Sequence, residues 1–466
     1  MIDTVFTQSI WGDEGFSAVL SMKPILEIIE IISRDTSPPL FNITEHLAFQ
    51  YFGTSEIVIR GLVFLYYLLA ILFVYLIGSL IWSKKTGLFA ALITFFNPFF
   101  FIYAFEGRMY SIMALGVTAS MYFFIRIYSL KGKPWVNFLG YVFFTLWAIY
   151  SHHFAFFAVI IQGLWFLKEF FFGKRKTSKM VFKAFIIIAL LYIPWLMPLY
   201  RQVTMVKGGF WLGTPTPGDL RTIIYDYLAQ GIRNDKLKLP LTEYPLFQIA
   251  LYTVFATLLV RRWWKSIEKT ILLLMWFLGP IILAWLISQK FTSIFYNRYL
   301  LYTIPAVGII LASSRSKLSI FPFLATLLLF IVIDLNYFFH PAKLPFKELG
   351  VYVSQTRKVN DFLINWNGSA HHLWETKFYG FDSPIYVPGN VELPFYVGTA
   401  LMEEKDIVRN IPPDVNRVGV TTSGPLSEIT LPEFREQEVK DLGNLKFVWY
   451  IRNEKSDTKQ VTRNKL

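Results

Sequence analysis

The sequence predicts an α-helical polytopic membrane protein of about ten spans with a small extracytoplasmic α/β domain at its C-terminal end. Three observations predict this. Hydrophobic residues fill 54% of the 466 positions and charged residues only 17%, against roughly 25% charged in an ordinary globular domain. A water-facing surface cannot absorb that much apolar area. The apolar residues also come in runs close to the roughly 20 needed to cross a hydrocarbon core of about 30 Å, and the basic residues collect in alternate loops.

Taken in order, residues 1–60 read as a first extracytoplasmic loop. Within it Ala18–Glu30 is expected as one short helix, apolar along one side, and Phe41–Tyr51 as another, introduced by Ser37-Pro38-Pro39; both suit a membrane interface. Residues 61–340 form the transmembrane part. Its spans lie near Gly61–Trp82, Leu88–Phe105, Ser111–Leu130, Val136–Tyr150, Phe154–Phe172, Val181–Tyr200, Pro245–Val260, Thr270–Ile287, Tyr299–Ser313 and Ser319–Phe339. A long outer loop occupies 201–244. Lys84 and Lys85, Lys131 and Lys133, the run Lys168 to Lys179, Arg261 to Lys269, and Arg315 with Lys317 fall in every second connection. The positive-inside rule places those in the cytoplasm and the others outside, in the cell membrane of a multi-pass protein.

The first loop is then outside with no span ahead of it. Either the start omits one N-terminal helix or the protein is N-out. The tail 341–466 alternates strand-like runs (Ile385–Val387, Arg417–Thr421, Lys446–Tyr450) with the turn dipeptides Pro388-Gly389 and Ser423-Gly424, after a helical pattern over Lys347–Trp366. That reads as a small extracytoplasmic α/β domain.

Charge and composition exclude several classes. The net charge of +13 and the pI near 9.5 reflect topology, since no basic stripe with interleaved aromatics lies in a soluble segment; nucleic acid is not expected as a partner. With no cysteine there is no disulfide, thiol nucleophile or Cys-ligated zinc.

The ionisable residues worth singling out sit at span ends. Trp11-Gly12-Asp13-Glu14-Gly15 sets two carboxylates beside glycines; a solvated turn is the plain explanation, a catalytic base or cation ligand the functional one. Arg34-Asp35 opens a rigid Pro-Pro turn and reads equally as a loop ion pair. Glu106-Gly107-Arg108-Met109-Tyr110 lies between two apolar spans, where each ionisable group is costly and snorkelling of Arg108 is the bland alternative. His152-His153 could be a packing or headgroup contact, and Arg298-Tyr299 an interfacial anchor. All of these fall on one expected face, where acids can serve as a base and arginines can bind phosphate bidentately.

Their order carries a resemblance. Trp11 to Glu14, then Asp35-Thr36-Ser37-Pro38-Pro39-Leu40-Phe41, then Phe52 to Arg60 leading into a span, resembles the first outer loop of the dolichyl-phosphate-mannose protein mannosyltransferase-like family, polytopic glycosyltransferases of the GT-C class. Asn97-Pro98 to Tyr110, Tyr150 to Phe154 and Asn297 to Leu301 also have counterparts, so the likeness runs from about residue 11 to 340.

The resemblance implies that Asp13 is the catalytic loop aspartate with Glu14 its neighbour, and that Arg108 and Arg298 lie near the lipid-phosphate site. Asp35, Glu106, Tyr110, His152, His153 and Tyr299 are expected to bind substrate. The sequence departs from the family by lacking room for a helix before the Asp-Glu loop, and by Thr36-Ser37 where a histidine often precedes the prolines.

The implied reaction moves a sugar from a polyprenyl-phosphate donor to a hydroxyl on a glycan, lipid or protein acceptor, with inversion. The membrane lipids surround the site. Phosphate leaves readily, so one base suffices, unlike the carboxylate pair of a glycosidase. The His and acid spacing matches no recognisable metal site, so a divalent cation stays an option rather than an expectation. Three competing classes remain on this reading. A transporter or lipid flippase fits Pro194, Pro198 and Pro280 inside spans. A polysaccharide polymerase or ligase would use Arg221 and Arg233 of the long loop, and a membrane-anchored receptor would use its tail.

Overall fold

The computed structural model describes residues 4–229, 267–313, 317–366, 371–389 and 392–453. The chain divides into two compact units: Met1–Thr7 with Ser21–Pro341, and Gln8–Leu20 with Ala342–Leu466.

The first unit is helical throughout its described residues. Five helices are long and apolar enough to cross a membrane: Glu56–Ile81, Tyr110–Ser129, Ala155–Phe172, Arg175–Lys207 and Ile267–Lys290. Helix Pro134–Ser151 stands where the fourth span is expected, and Asn297–Ala312 and Lys317–Phe339 where the last two are. The span expected at Pro245–Val260 lies outside the described residues.

Local chemistry sets the helix ends. Ser55 Oγ accepts the Val58 N–H at 3.3 Å ahead of Glu56, and Ser83 Oγ accepts the Thr86 N–H at 3.2 Å, each supplying an otherwise orphaned first-turn donor with an acceptor. The antiparallel helices that meet between these caps touch through glycine. A Cβ on Gly78 would lie 2.8 Å from Gly87 Cα, so only hydrogen permits the approach. At that end Lys269 Nζ donates to the Ile81 carbonyl at 2.8 Å, and Lys168 joins Glu169 and Glu268 in an ion-pair cluster.

Deeper in, a polar chain fastens three helices together. Gln162 Nε2 donates to Ser120 Oγ (3.0 Å), Ser120 pairs with Thr145 Oγ1 (2.8 Å), and Tyr141 Oη donates to Gln162 Oε1 (2.9 Å). Apolar surroundings give the helices little hydrophobic reason to associate, so such interhelical hydrogen bonds and close packing supply it.

Two expectations are corrected here. The single span Leu88–Phe105 is broken: helix Lys84–Phe95 turns by 62° into Pro98–Phe105. Pro98 cannot donate into the preceding turn, and Asn97 Oδ1 instead caps the new helix through the Phe100 N–H at 3.0 Å. Likewise the single helix Ala18–Glu30 is two, Gly12–Ser21 and Ile25–Ile32, because Pro24 starts the second. Helix Leu40–Phe52 matches the expected Phe41–Tyr51.

The second unit is a small α/β body around a six-stranded sheet. Its strands are β1 (Phe362–Asn365), β2 (Ile385–Tyr386), β3 (Ile407–Val408), β4 (Arg417–Thr422), β5 (Phe434–Asp441) and β6 (Lys446–Arg452), in the order β3-β2-β1-β4-β6-β5. β1 to β4 run parallel, with Phe362 opposite Val418; β6 pairs antiparallel with β4 and β5. One face buries Ile364, Val418, Val420 and Val448; the other buries Leu363, Phe447 and Trp449 against Phe346, Leu349 and Val353 of helix Phe346–Thr356. The helical pattern expected over Lys347–Trp366 therefore stops at Thr356. Asp361 Oδ2 accepts the Lys358 N–H at 2.7 Å and pairs with Arg417 at 2.7 Å, which turns the chain into β1.

Candidate functional site

Asp13 and Glu14 occupy the first turn of helix Gly12–Ser21, and both belong to the second unit. Gly15 lets that helix close onto helix His371–Phe378: a Cβ there would stand 2.9 Å from the Trp374 carbonyl carbon. Phe16 then meets the Trp374 ring edge-on at 5.4 Å. Glu14 is wholly buried; it binds Lys343 Nζ at 2.8 Å and accepts the Trp11 N–H at 3.2 Å. Such a carboxylate is committed to holding the turn. Asp13, one residue earlier, is only half-buried.

In the first unit the structure gathers Arg108, His152, His153 and Tyr299 on one cavity of about 330 Å³. Its polar lining also includes Thr36, Ser37, Gln202, Lys207 and Thr292. Leu199, Val203 and Val206 of the Arg175–Lys207 rod and Ile287 and Phe291 of Ile267–Lys290 form the apolar wall. Asp35, next to Thr36, is buried with its N–H on the Ile32 carbonyl at 3.1 Å. Glu106 is buried too, and its carbonyl accepts the Arg108 N–H at 2.6 Å, which sharpens the turn carrying Arg108.

Arg298 lies within 5.0 to 5.9 Å of the ring centres of Tyr296, Tyr110 and Tyr299. An aromatic cage of this kind holds a guanidinium by cation–π attraction and fixes its position. Tyr110 and His152 both approach Tyr299, at 6.3 and 5.1 Å between ring centres.

Both histidines are held neutral in the connection outside the spans. Burial, then His153, Arg108 and Arg298, keep His152 well below the usual imidazole range. Its Nδ1 accepts the Phe154 N–H at 3.1 Å, so the neutral ring carries its proton on Nε2. Burial pushes His153 down to about 4, against the upward pull of its hydrogen bond to Gln202. His153 Nε2 donates to Gln202 Oε1 at 2.7 Å, and Gln202 Nε2 donates to the Ile32 and Ser37 carbonyls at 2.9 and 3.2 Å.

Gln202 thus ties three segments to the cavity rim and was missed in the sequence, where it reads as one polar residue in a long outer loop. A second chain positions Arg298: Asn97 Nδ2 donates to the Tyr227 carbonyl at 2.6 Å, and Tyr227 Oη donates to the Asn297 carbonyl at 2.5 Å. Among the described residues no three His, Cys, Asp or Glu side chains are placed to hold a metal ion. The cavity can offer cationic and neutral donors (Arg108, Lys207, His152, His153, Gln202) together with apolar side chains, the requirements of an amphiphilic anion.

Residues 36–197 match the family model described as dolichyl-phosphate-mannose-protein mannosyltransferase. No curated protein matches the sequence. Among solved structures, ArnT from Cupriavidus metallidurans in the apo state is 11% identical with a TM-score of 0.67, covering 96% of this chain and 95% of that one. The same protein bound to undecaprenyl phosphate has a TM-score of 0.63 at 11% identity, with the same coverage. The oligosaccharyltransferase AglB from Archaeoglobus fulgidus, in complex with an inhibitory peptide and a dolichol-phosphate, has a TM-score of 0.51 at 15% identity, covering 90% of this chain and 67% of that one. The family-model match thus covers the segments that carry Arg108 and His152, and the fold is similar to that of ArnT over nearly the whole chain.

Proposed function

We propose that the protein transfers a sugar from a polyprenyl-phosphate donor to a hydroxyl of a glycan, lipid or protein acceptor, with inversion, at the extracytoplasmic face of the cell membrane. The observation that carries the donor class is the cavity of about 330 Å³, lined both by Arg108, Lys207 and the neutral histidines and by Leu199, Val203, Val206, Ile287 and Phe291. A sugar headgroup alone would not need those apolar side chains, and a hydrocarbon alone would not need Arg108. That solved relatives of this fold hold undecaprenyl phosphate and dolichol-phosphate supports the same donor class.

In this reading Arg108 and the caged Arg298 stabilise charge on the departing phosphate, an electrostatic contribution that grows as the glycosidic bond breaks. His152 donates a neutral N–H from Nε2. Asp13 is assigned the base that takes the acceptor proton, by its match to the family's catalytic loop aspartate; Glu14, buried on Lys343, serves as its structural neighbour.

Binding of undecaprenyl phosphate to the purified protein in detergent tests the donor class. The wild type should bind it, and Arg108→Ala should weaken binding about 10- to 100-fold through loss of a charge-assisted contact. Equal binding by wild type and variant, or none by either, would remove the donor assignment. A reporter fused after Leu466 that scored as cytoplasmic would overturn the orientation.

A further inference from the structure

We propose that the C-terminal unit holds a second chemical site, in which Ser423 is a nucleophile activated by His372 and Glu375 and open to acylation by an ester. The sheet topology says where to look. β1 lies between β2 and β4, and all three are parallel. The chain leaves β1 through helix His371–Phe378 toward β2 and returns only later to lay β4 on the other flank of β1. Connections that diverge this way open a crevice beyond the carboxyl ends of the strands, the general ligand position in open parallel sheets.

Ser423 directly follows β4, and His372 lies in the first turn of the helix that follows β1. They meet across that crevice, with Ser423 Oγ 2.9 Å from His372 Nε2. On the far side of the ring, His372 Nδ1 is 2.8 Å from Glu375 Oε2. A carboxylate accepts only, so it draws the Nδ1 proton and leaves the Nε2 lone pair facing the hydroxyl. This is the nucleophile, base and orienting-acid relation of serine acyl transfer. His372 and Glu375 are 5% and 2% exposed, whereas Ser423 is exposed. The base is sheltered and the nucleophile is within reach of a ligand.

In the step proposed, Ser423 Oγ bonds to an ester carbonyl carbon while its proton passes to His372 Nε2. The carbon–alkoxy bond then breaks, the alkoxide takes that proton and leaves as an alcohol, and the acyl group stays on Ser423. Water attacks the acyl-serine, releasing the carboxylic acid and restoring the hydroxyl. The Gly424 N–H is engaged by Thr422 Oγ1 at 2.9 Å and so is not preset to stabilise an oxyanion, which points to modification of the serine, rather than fast turnover, as the readout.

The test uses the full-length protein in detergent with a fluorophosphonate probe and peptide mapping by mass spectrometry. Ser423 should carry the adduct, Ser423→Ala should remove it, and His372→Gln should slow labelling at least about 10-fold, within the usual range for loss of a general base. Ser423→Ala changes an exposed side chain, so it keeps the fold and leaves sugar transfer unaltered. Labelling of Ser423 no faster than the exposed Ser354, or at the same rate in His372→Gln, overturns the proposal.

Discussion

Glu14 is wholly buried, and its carboxylate rests on the Lys343 ammonium at 2.8 Å. Removing the cation alone strands a charge in low dielectric, and that loss exceeds what the pair itself contributes. Lys343→Met should therefore cost about 3–5 kcal/mol, read as a fall in unfolding midpoint, while the double variant Glu14→Gln with Lys343→Met should recover much of it. His153 supplies a second test at this scale. Folded, it titrates near 4; unfolded, near the ordinary value of about 6.5. Between those values the unfolded chain binds a proton that the folded chain does not. Its contribution is thus complete above about pH 6.5 and lost as pH falls toward 4. His153→Gln should flatten the dependence of melting temperature on pH between 7 and 5; an unchanged slope would mean that other groups set it.

At the scale of elements, the helix Gly12–Ser21 depends on a contact that only glycine allows. Gly15→Ala would drive a methyl to 2.9 Å from the Trp374 carbonyl carbon, and backbone cannot yield as a side-chain tip can. The expected cost is about 1–3 kcal/mol of overpacking, measured by thermal unfolding, with Asp13-dependent transfer falling as the helix shifts. Elements also show what sequence pattern reaches. Spans were legible because hydropathy acts over whole helices, and the strands β4 and β6 because Arg417–Thr422 and Lys446–Arg452 bury nearly continuous runs. β5 was not, since only Phe434 of Phe434–Asp441 is buried and the remainder reads as a charged surface. β1 is too short to interrupt the helical pattern before it, and the apolar residues on both sides of Lys23-Pro24 keep helical spacing, which hides the break there.

For the molecule as a whole, the sequence puts the candidate residues on one expected face but does not show which of them share a cavity. Arg108, His152, His153 and Tyr299 stand out in sequence as ionisable or aromatic residues at span ends, and the structure sets them on one cavity. Gln202 carries no such mark, because its role comes from carbonyls at Ile32 and Ser37 far away in the chain. Nor does any local pattern reveal that residues 8–20 fold with 342–466, a consequence of long-range contacts such as Glu14–Lys343 and Phe16–Trp374. The measurement closest to the central claim is sugar transfer itself: membranes containing the wild type or Asp13→Asn, incubated with radiolabelled polyprenyl-phosphate sugars. The account predicts that the wild type consumes one of these donors and that Asp13→Asn lowers transfer by about 100-fold or more while undecaprenyl phosphate still binds. A variant that consumes the donor as fast as the wild type would contradict the role of Asp13, and a protein that consumes no donor yet moves a substrate across vesicles would contradict sugar transfer.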